Sequence, residues 1–182
     1  MDLDVKTSLD VKQPEQDSPI GKMVPGYAVP VINERGVRVS AALLFAFGAF
    51  GWVSAAVTGN IGYMKMFGMF FVIDMAIRVA LGDRWSPTII LANLLVMKFP
   101  PQWVGAEQKM WAWGLGLGMA TTFCVITGYT AAPMWVTLAL CALCLTLLGL
   151  EAFFGICVGC KLQALVARVW PKYAGGGACS ID

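Results

Sequence analysis

The chain contains no histidine. That removes the usual haem ligand, the commonest catalytic base and the most frequent transition-metal ligand together. Charge is scarce as well: 13% of the 182 residues are Asp, Glu, Lys or Arg, against ~25% in an ordinary soluble domain. Thirteen basic and 11 acidic residues leave a net charge of +2. No basic stripe appears, so nucleic acid is not an expected partner. The first 22 residues lack the basic-then-apolar order of a signal peptide; they mix acids and lysines with Pro14 and Pro19. Residues 1–22 therefore read as a polar cytoplasmic tail, and 171–182, with Gly175, Gly176 and Gly177, as a flexible C-terminal one.

What is abundant is hydrocarbon. Hydrophobic residues make up 58% of the chain, and the mean hydropathy is +0.71. The fold class this implies is all-α, a polytopic membrane protein whose residues 23–170 form one membrane domain with four transmembrane helices. The expected spans are about 40–58, 61–81, 110–129 and 133–154, each near the ~20 residues a bilayer requires. Residues 23–32, with Pro25, Gly26 and Pro30, should run extended before Asn33 caps the first helix. Ser86-Pro87 opens a further apolar helix, about 87–98, which is too short to cross and is read as re-entrant or interfacial. After the fourth span, Val158, Leu162, Leu165, Val166 and Val169 recur at helical spacing. They predict a C-terminal amphipathic surface helix, about 157–170. Running the fourth span unbroken to Trp170 would make a rod of ~55 Å, so a bend near Gly155–Gly159 is expected.

The basic residues set the orientation. With the N-terminus inside and four spans, Lys6, Lys12, Lys22, Arg35, Arg38, Arg84, Lys98, Lys109, Lys161, Arg168 and Lys172 all fall on the cytoplasmic side. Lys65 alone lies near the outer side, and Arg78 is within a helix. Counting 87–98 as a fifth span would reverse five of them. Aromatic residues, among them Trp52, Trp85, Trp113 and Trp135, fall near the span ends as an interfacial belt.

Three features carry possible chemistry. Cys157 and Cys160 are spaced to form a disulfide or pass sulfur between them; equally, two small residues pack well at a helix junction. If the bend precedes Cys157, both thiols occupy the first turn of the surface helix, where the dipole and Lys161 favour thiolate. Asp74 and Arg78, one turn apart in the second span, and Glu151 in the fourth are charges inside the bilayer, each costing ~3 kcal/mol or more unless partnered. The functional expectation is that Arg78 bridges Asp74 and Glu151 beneath the thiols; the alternative is an ion pair that only fixes helix orientation. Cys141 and Cys144 share the same spacing deep in the fourth span and read as packing residues. Gly114, Gly116 and Gly118 lack the strand of a nucleotide loop, so Gly114 and Gly118 read as a small-residue packing face. No cofactor or metal is expected.

Pro30-Val-Ile-Asn33-Glu34 with Arg38, Asp74 with Arg78, and Gly155-x-Cys157-Val-Gly-Cys160 together resemble a bacterial membrane family catalogued as domain of unknown function 4395, over about residues 23–165. The resemblance implies a bacterial cytoplasmic membrane and thioredoxin-like or sulfurtransferase proteins as partners, while the basic residues put both termini on the cytoplasmic side. The expected function is thiol–disulfide exchange or sulfur relay at a cytoplasm-facing pair, Cys157 attacking and Cys160 resolving, supported by Asp74, Arg78, Glu151 and Lys161. The competing expectation is a non-catalytic subunit held against other membrane proteins. Transport of a small sulfur compound by an oligomer is a third.

Overall fold

The computed structural model describes residues 20–25, 27, 29–129 and 133–169. The two tails lie outside the described residues except for Ile20, Gly21 and Lys22. Six α-helices follow one another: α1 (Glu34–Thr58), α2 (Gly62–Ala80), α3 (Pro87–Val96), α4 (Ala106–Tyr129), α5 (Met134–Phe154) and α6 (Val158–Val169). Asn33 caps α1 as its sequence position predicts, its side chain accepting from the Arg35 N–H at 3.2 Å. Ser86 caps α3 with Pro87 in the first turn.

The extended segment before α1 and the polar stretch before α4 are joined, which spacing alone did not indicate. Val31–Asn33 (β1) pairs antiparallel with Trp103–Gly105 (β2), Ile32 opposite Val104. The Glu34 N–H donates to the Gln102 carbonyl at 2.8 Å and the Ala106 N–H to that of Pro30 at 3.0 Å. This ribbon satisfies backbone groups that would otherwise be stranded at two helix starts. It also lets α4 begin at Ala106, about one turn earlier than the expected span, and so brings Lys109 into the helix.

α1 is the central helix, packing on α5, α3 and α2, while α4 packs on α2, α6 and α5. Leu44, Met64, Phe67, Phe71, Phe123 and Leu145 form the core between them, with Phe47 edge-on to both Phe67 and Phe70. The outside is as apolar as the inside: Val57 is 79% exposed, Met69 64% and Phe154 71%. In water such a surface would aggregate; in a bilayer it is the solvated face. Among the described residues three helices, α1, α4 and α5, are long and apolar enough to cross a membrane, which with the apolar outer surface points to a membrane protein. α2 is 19 residues long but carries Lys65, Asp74 and Arg78.

One aromatic assignment changes. Trp113 is not part of an interfacial belt: it is 3% exposed, its ring 5.4 Å from the Arg78 guanidinium carbon. Trp52 donates its indole N–H to the Leu138 carbonyl at 3.0 Å, tying α1 to α5.

Candidate functional site

Each conspicuous residue of the Gly155–Cys160 box has a structural task. Gly155 ends α5 in the left-handed region, φ +66°, where a Cβ would be strained and would also meet the Arg38 guanidinium carbon at 3.2 Å. The Gly155 and Ile156 N–H groups bond back to the Glu151 and Leu150 carbonyls, both at 3.1 Å, and Arg38 caps the same end by donating to the Phe153 carbonyl at 3.2 Å. The chain thus turns sharply before Cys157. Cys157 precedes α6 as its N-cap: its carbonyl accepts from Lys161 N–H at 3.1 Å, and its Sγ accepts from Cys160 N–H at 3.4 Å. Gly159 lets α6 lie on α4, since a Cβ there would stand 2.7 Å from both Cα and Cβ of Ala112.

This geometry treats the two thiols differently. Cys157 is half-buried and Cys160 is buried, with the Cys160 Sγ 3.7 Å from the Gln108 carbonyl. The hydrogen bond with the Cys160 thiol holds the Cys157 thiol below its ordinary range, and Lys109 and the Cys160 N–H act the same way. Burial and Glu151 oppose them without reversing the direction. Cys160 is pushed well above the usual thiol range, first by that same hydrogen bond, then by burial and the Cys157 charge. The Cys157 sulfur is thus favoured as thiolate, while the Cys160 thiol, donating to the Gln108 carbonyl, is held protonated.

The charges around the pair are not those the sequence suggested. Glu151 does not bond Arg78: its Oε1 lies 2.9 Å from Lys109 Nζ, joining the end of α5 to the start of α4. Lys161 is exposed on α6, and the cation acting on Cys157 is Lys109. Lys109 was missed because it sits outside the expected span. The signal was its place in the first turn of an apolar helix, where the dipole repels a cation and a carboxylate is needed.

Asp74 and Arg78 do pair, at 2.7 Å, and both are buried. Around them is a network confined to α1, α2 and α3. Arg78 donates to Ser40 at 2.7 Å and to Ser86 at 3.2 Å, and also to Thr88. Asp74 accepts from Ser86 Oγ at 2.7 Å and Thr88 Oγ1 at 2.8 Å. Ser86, read as a helix cap, serves both purposes. Trp113 links the network to the dithiol region: it stacks on Arg78 and lines the cavity beneath the thiols.

That cavity, about 220 Å³, lies between α2, α4, α5 and α6. Cys157 and Glu151 line it, as does Cys144, whereas Cys141 is packed in the core. Among the described residues no group of three or more acidic or thiol side chains is placed to hold a metal ion. The apolar stripe of α6 faces outward, with Val158, Leu162 and Leu165 exposed, while Cys160 and Gln163 are buried. Gly114 and Gly118, expected to pack a helix, have nothing within 4 Å of where a Cβ would stand.

A family model described as a domain of unknown function (DUF4395) matches residues 32–168. The chain belongs to this family. The match spans the capped start of α1, the Asp74–Arg78 pair and the whole Gly155–Cys160 box, so the DUF4395 region contains both the buried network and the dithiol. No curated protein and no solved structure matches the chain.

Proposed function

We propose that this DUF4395 protein is a membrane thiol–disulfide exchange or sulfur-relay protein in which Cys157 attacks and Cys160 resolves. The observation that carries the reading is the asymmetry of the pair. Cys157 caps a helix, accepts the Cys160 N–H and is held below the ordinary thiol range, while Cys160 is buried and pushed above it. An attacking thiol needs thiolate at neutral pH, and a resolving thiol must stay protonated until the mixed disulfide forms. Thioredoxin-like or sulfurtransferase proteins are the partners whose chemistry fits.

The same reading includes the topology. α2 is a fourth span, its Asp74 and Arg78 charges neutralised inside the bundle, and α3 lies at the cytoplasmic interface. The excess of lysine and arginine at one end supports an orientation with both termini and the dithiol on the cytoplasmic side of a bacterial inner membrane. Phosphatase and fluorescent-protein fusions at the C-terminus test the orientation.

The chemical test is trapping. Cys160→Ser should accumulate a mixed disulfide on Cys157 with a thioredoxin-like protein whose resolving cysteine is changed to serine and whose attacking cysteine carries a thionitrobenzoate disulfide, releasing thionitrobenzoate, and Cys157→Ser should not. Equal trapping by both variants, or by neither, would end the proposal. The bare Gly114–Gly118 face of α4 favours a second reading, an accessory subunit packed against another membrane protein. Under that reading Gly118→Leu dissociates a complex and leaves Cys157 reactivity unchanged.

A further inference from the structure

The cavity beside Cys157 is built for something other than a protein thiol. Its walls are apolar and aromatic, with Phe71 and Trp113 on one side, and its polar lining includes Glu151 and the Cys157 thiol. Leu115 and Leu162, which also line it, are 39% and 45% exposed. Its mouth therefore opens on the apolar outer surface that faces lipid. At about 220 Å³ it is smaller than the ~300–1,000 Å³ of drug-sized sites. A single ring fits; a polypeptide loop does not.

We propose that this cavity takes the ring of a lipid-soluble quinone, which accepts two electrons from Cys157 and Cys160. The inference rests on the exchange reading above and names the second substrate of the same pair. Cys157 sulfur forms a bond to a ring carbon while one quinone oxygen takes up a proton. Cys160, losing its proton, then attacks the Cys157 sulfur. The S–S bond forms, the S–C bond breaks, and its electron pair enters the ring as the second oxygen is protonated. The Cys157 thiolate, the Cys160 thiol, one quinone and one proton from water become one disulfide and one hydroquinone, so the ring hydroxyls take the Cys160 proton and the one that Cys157 had already given up. Glu151, lining the cavity with the Cys157 sulfur, is the group placed to pass those protons. A soluble dithiol re-reduces the pair from the water side by ordinary exchange, so the two substrates approach from different phases.

The test uses the full chain, reduced, in lipid nanodiscs, with two oxidants compared. One is decylubiquinone, whose fully substituted ring cannot permanently arylate a thiol; the other is oxidised glutathione. Decylubiquinone should be reduced one-for-one as two thiols are lost, and neither Cys157→Ser nor Cys160→Ser should reduce it. Gly116→Leu fills the cavity where the nearest atom to a new Cβ is Phe71 Cζ at 4.0 Å. It should slow the quinone reaction about tenfold or more and leave the glutathione reaction, which needs only the thiols, at its rate. Met119→Phe narrows the same cavity and gives the same contrast if Gly116→Leu does not fold. Equal quinone rates in wild type and a folded cavity-filling variant overturn the inference. So does oxidation by glutathione with none by decylubiquinone, which leaves the exchange reading standing and a lipid chain in the cavity. If neither oxidant touches the pair, the exchange reading falls and takes the inference with it.

Discussion

Arg78→Met should be costly alone and much cheaper when combined with Asp74→Leu. In the native protein the guanidinium bonds Asp74, Ser40, Ser86 and Thr88 at once and is 2% exposed. Removing one member of a buried pair leaves the other uncompensated, at ~3–5 kcal/mol. Asp74 would keep three donors, Ser86 Oγ at 2.7 Å, Thr88 Oγ1 at 2.8 Å and Thr88 N–H at 3.3 Å. The loss for Arg78→Met should therefore fall near ~3 kcal/mol, the low end of that range. Asp74→Leu strands a cation against three hydroxyls and the Trp113 face, and should cost more. The double variant leaves only hydroxyls, of which Ser86 and Thr88 already lie 3.3 Å apart. Its cost should sit at least ~2 kcal/mol below the sum of the single costs. Reversible unfolding in mixed micelles measures all four proteins, and Cys157 alkylation in the same samples should change little, because the network does not bond the thiols. Two results would refute the reasoning: an Arg78→Met protein within ~1 kcal/mol of wild type, or a double variant whose cost equals the sum.

Three further outcomes follow from the dithiol turn. Gly155→Ala forces a side chain into φ +66° and against Arg38, and should cost ~1–3 kcal/mol while slowing alkylation of Cys157, both measurable on one sample. Gly159→Ala meets Ala112 at 2.7 Å and should lift α6 from α4, making buried Cys160 faster to react with maleimide. Cys157 alkylation against pH should reach half its plateau below the ~8.5 of a free thiol. Lys109→Met, removing a charge that favours thiolate, should move that midpoint up, and Glu151→Gln, removing one that disfavours it, should move it down.

The helical plan was written in the sequence because each element depends on local signals: Asn33 and Ser86 as caps, Gly155 as a stop, apolar runs of spanning length. A bend near Gly155–Gly159 was legible too, since no bilayer accommodates a rod that long, but its place before Cys157 was not. The β1–β2 ribbon was not, because two three-residue strands separated by 69 positions leave no periodicity to read. Its consequence, the early start of α4, hid Lys109. The partner of Glu151 was misassigned for the same reason. From the sequence, Arg78 was the nearest available cation in the bilayer, and it turned out to be saturated by Asp74 and three hydroxyls brought together by α1, α2 and α3. Spacing within one helix is readable, whereas which of several charges meet across helices depends on packing.

Lys109 and Glu151 each stand at the wrong end of their helix. Lys109 is in the first turn of α4, where the dipole end is positive, and Glu151 in the last turn of α5, where it is negative. Each placement opposes its helix by ~0.3–1 kcal/mol, and exchanging the two residues would keep the ion pair and remove both penalties. Acidifying Cys157 does not explain the choice, because Glu151 opposes the thiolate more than Lys109 supports it. A carboxylate stands near Cys157 against both local electrostatics and thiol acidity, with a cation to hold it in place. Under the exchange reading proposed above, the role that accounts for this is proton traffic: Glu151 lines the cavity that Cys157 lines, and the buried Cys160 thiol must release its proton when a disulfide forms. The Cys160 N–H bonds the Cys157 sulfur and favours its thiolate, and under the same reading Glu151, held by Lys109, is the acceptor for the Cys160 proton.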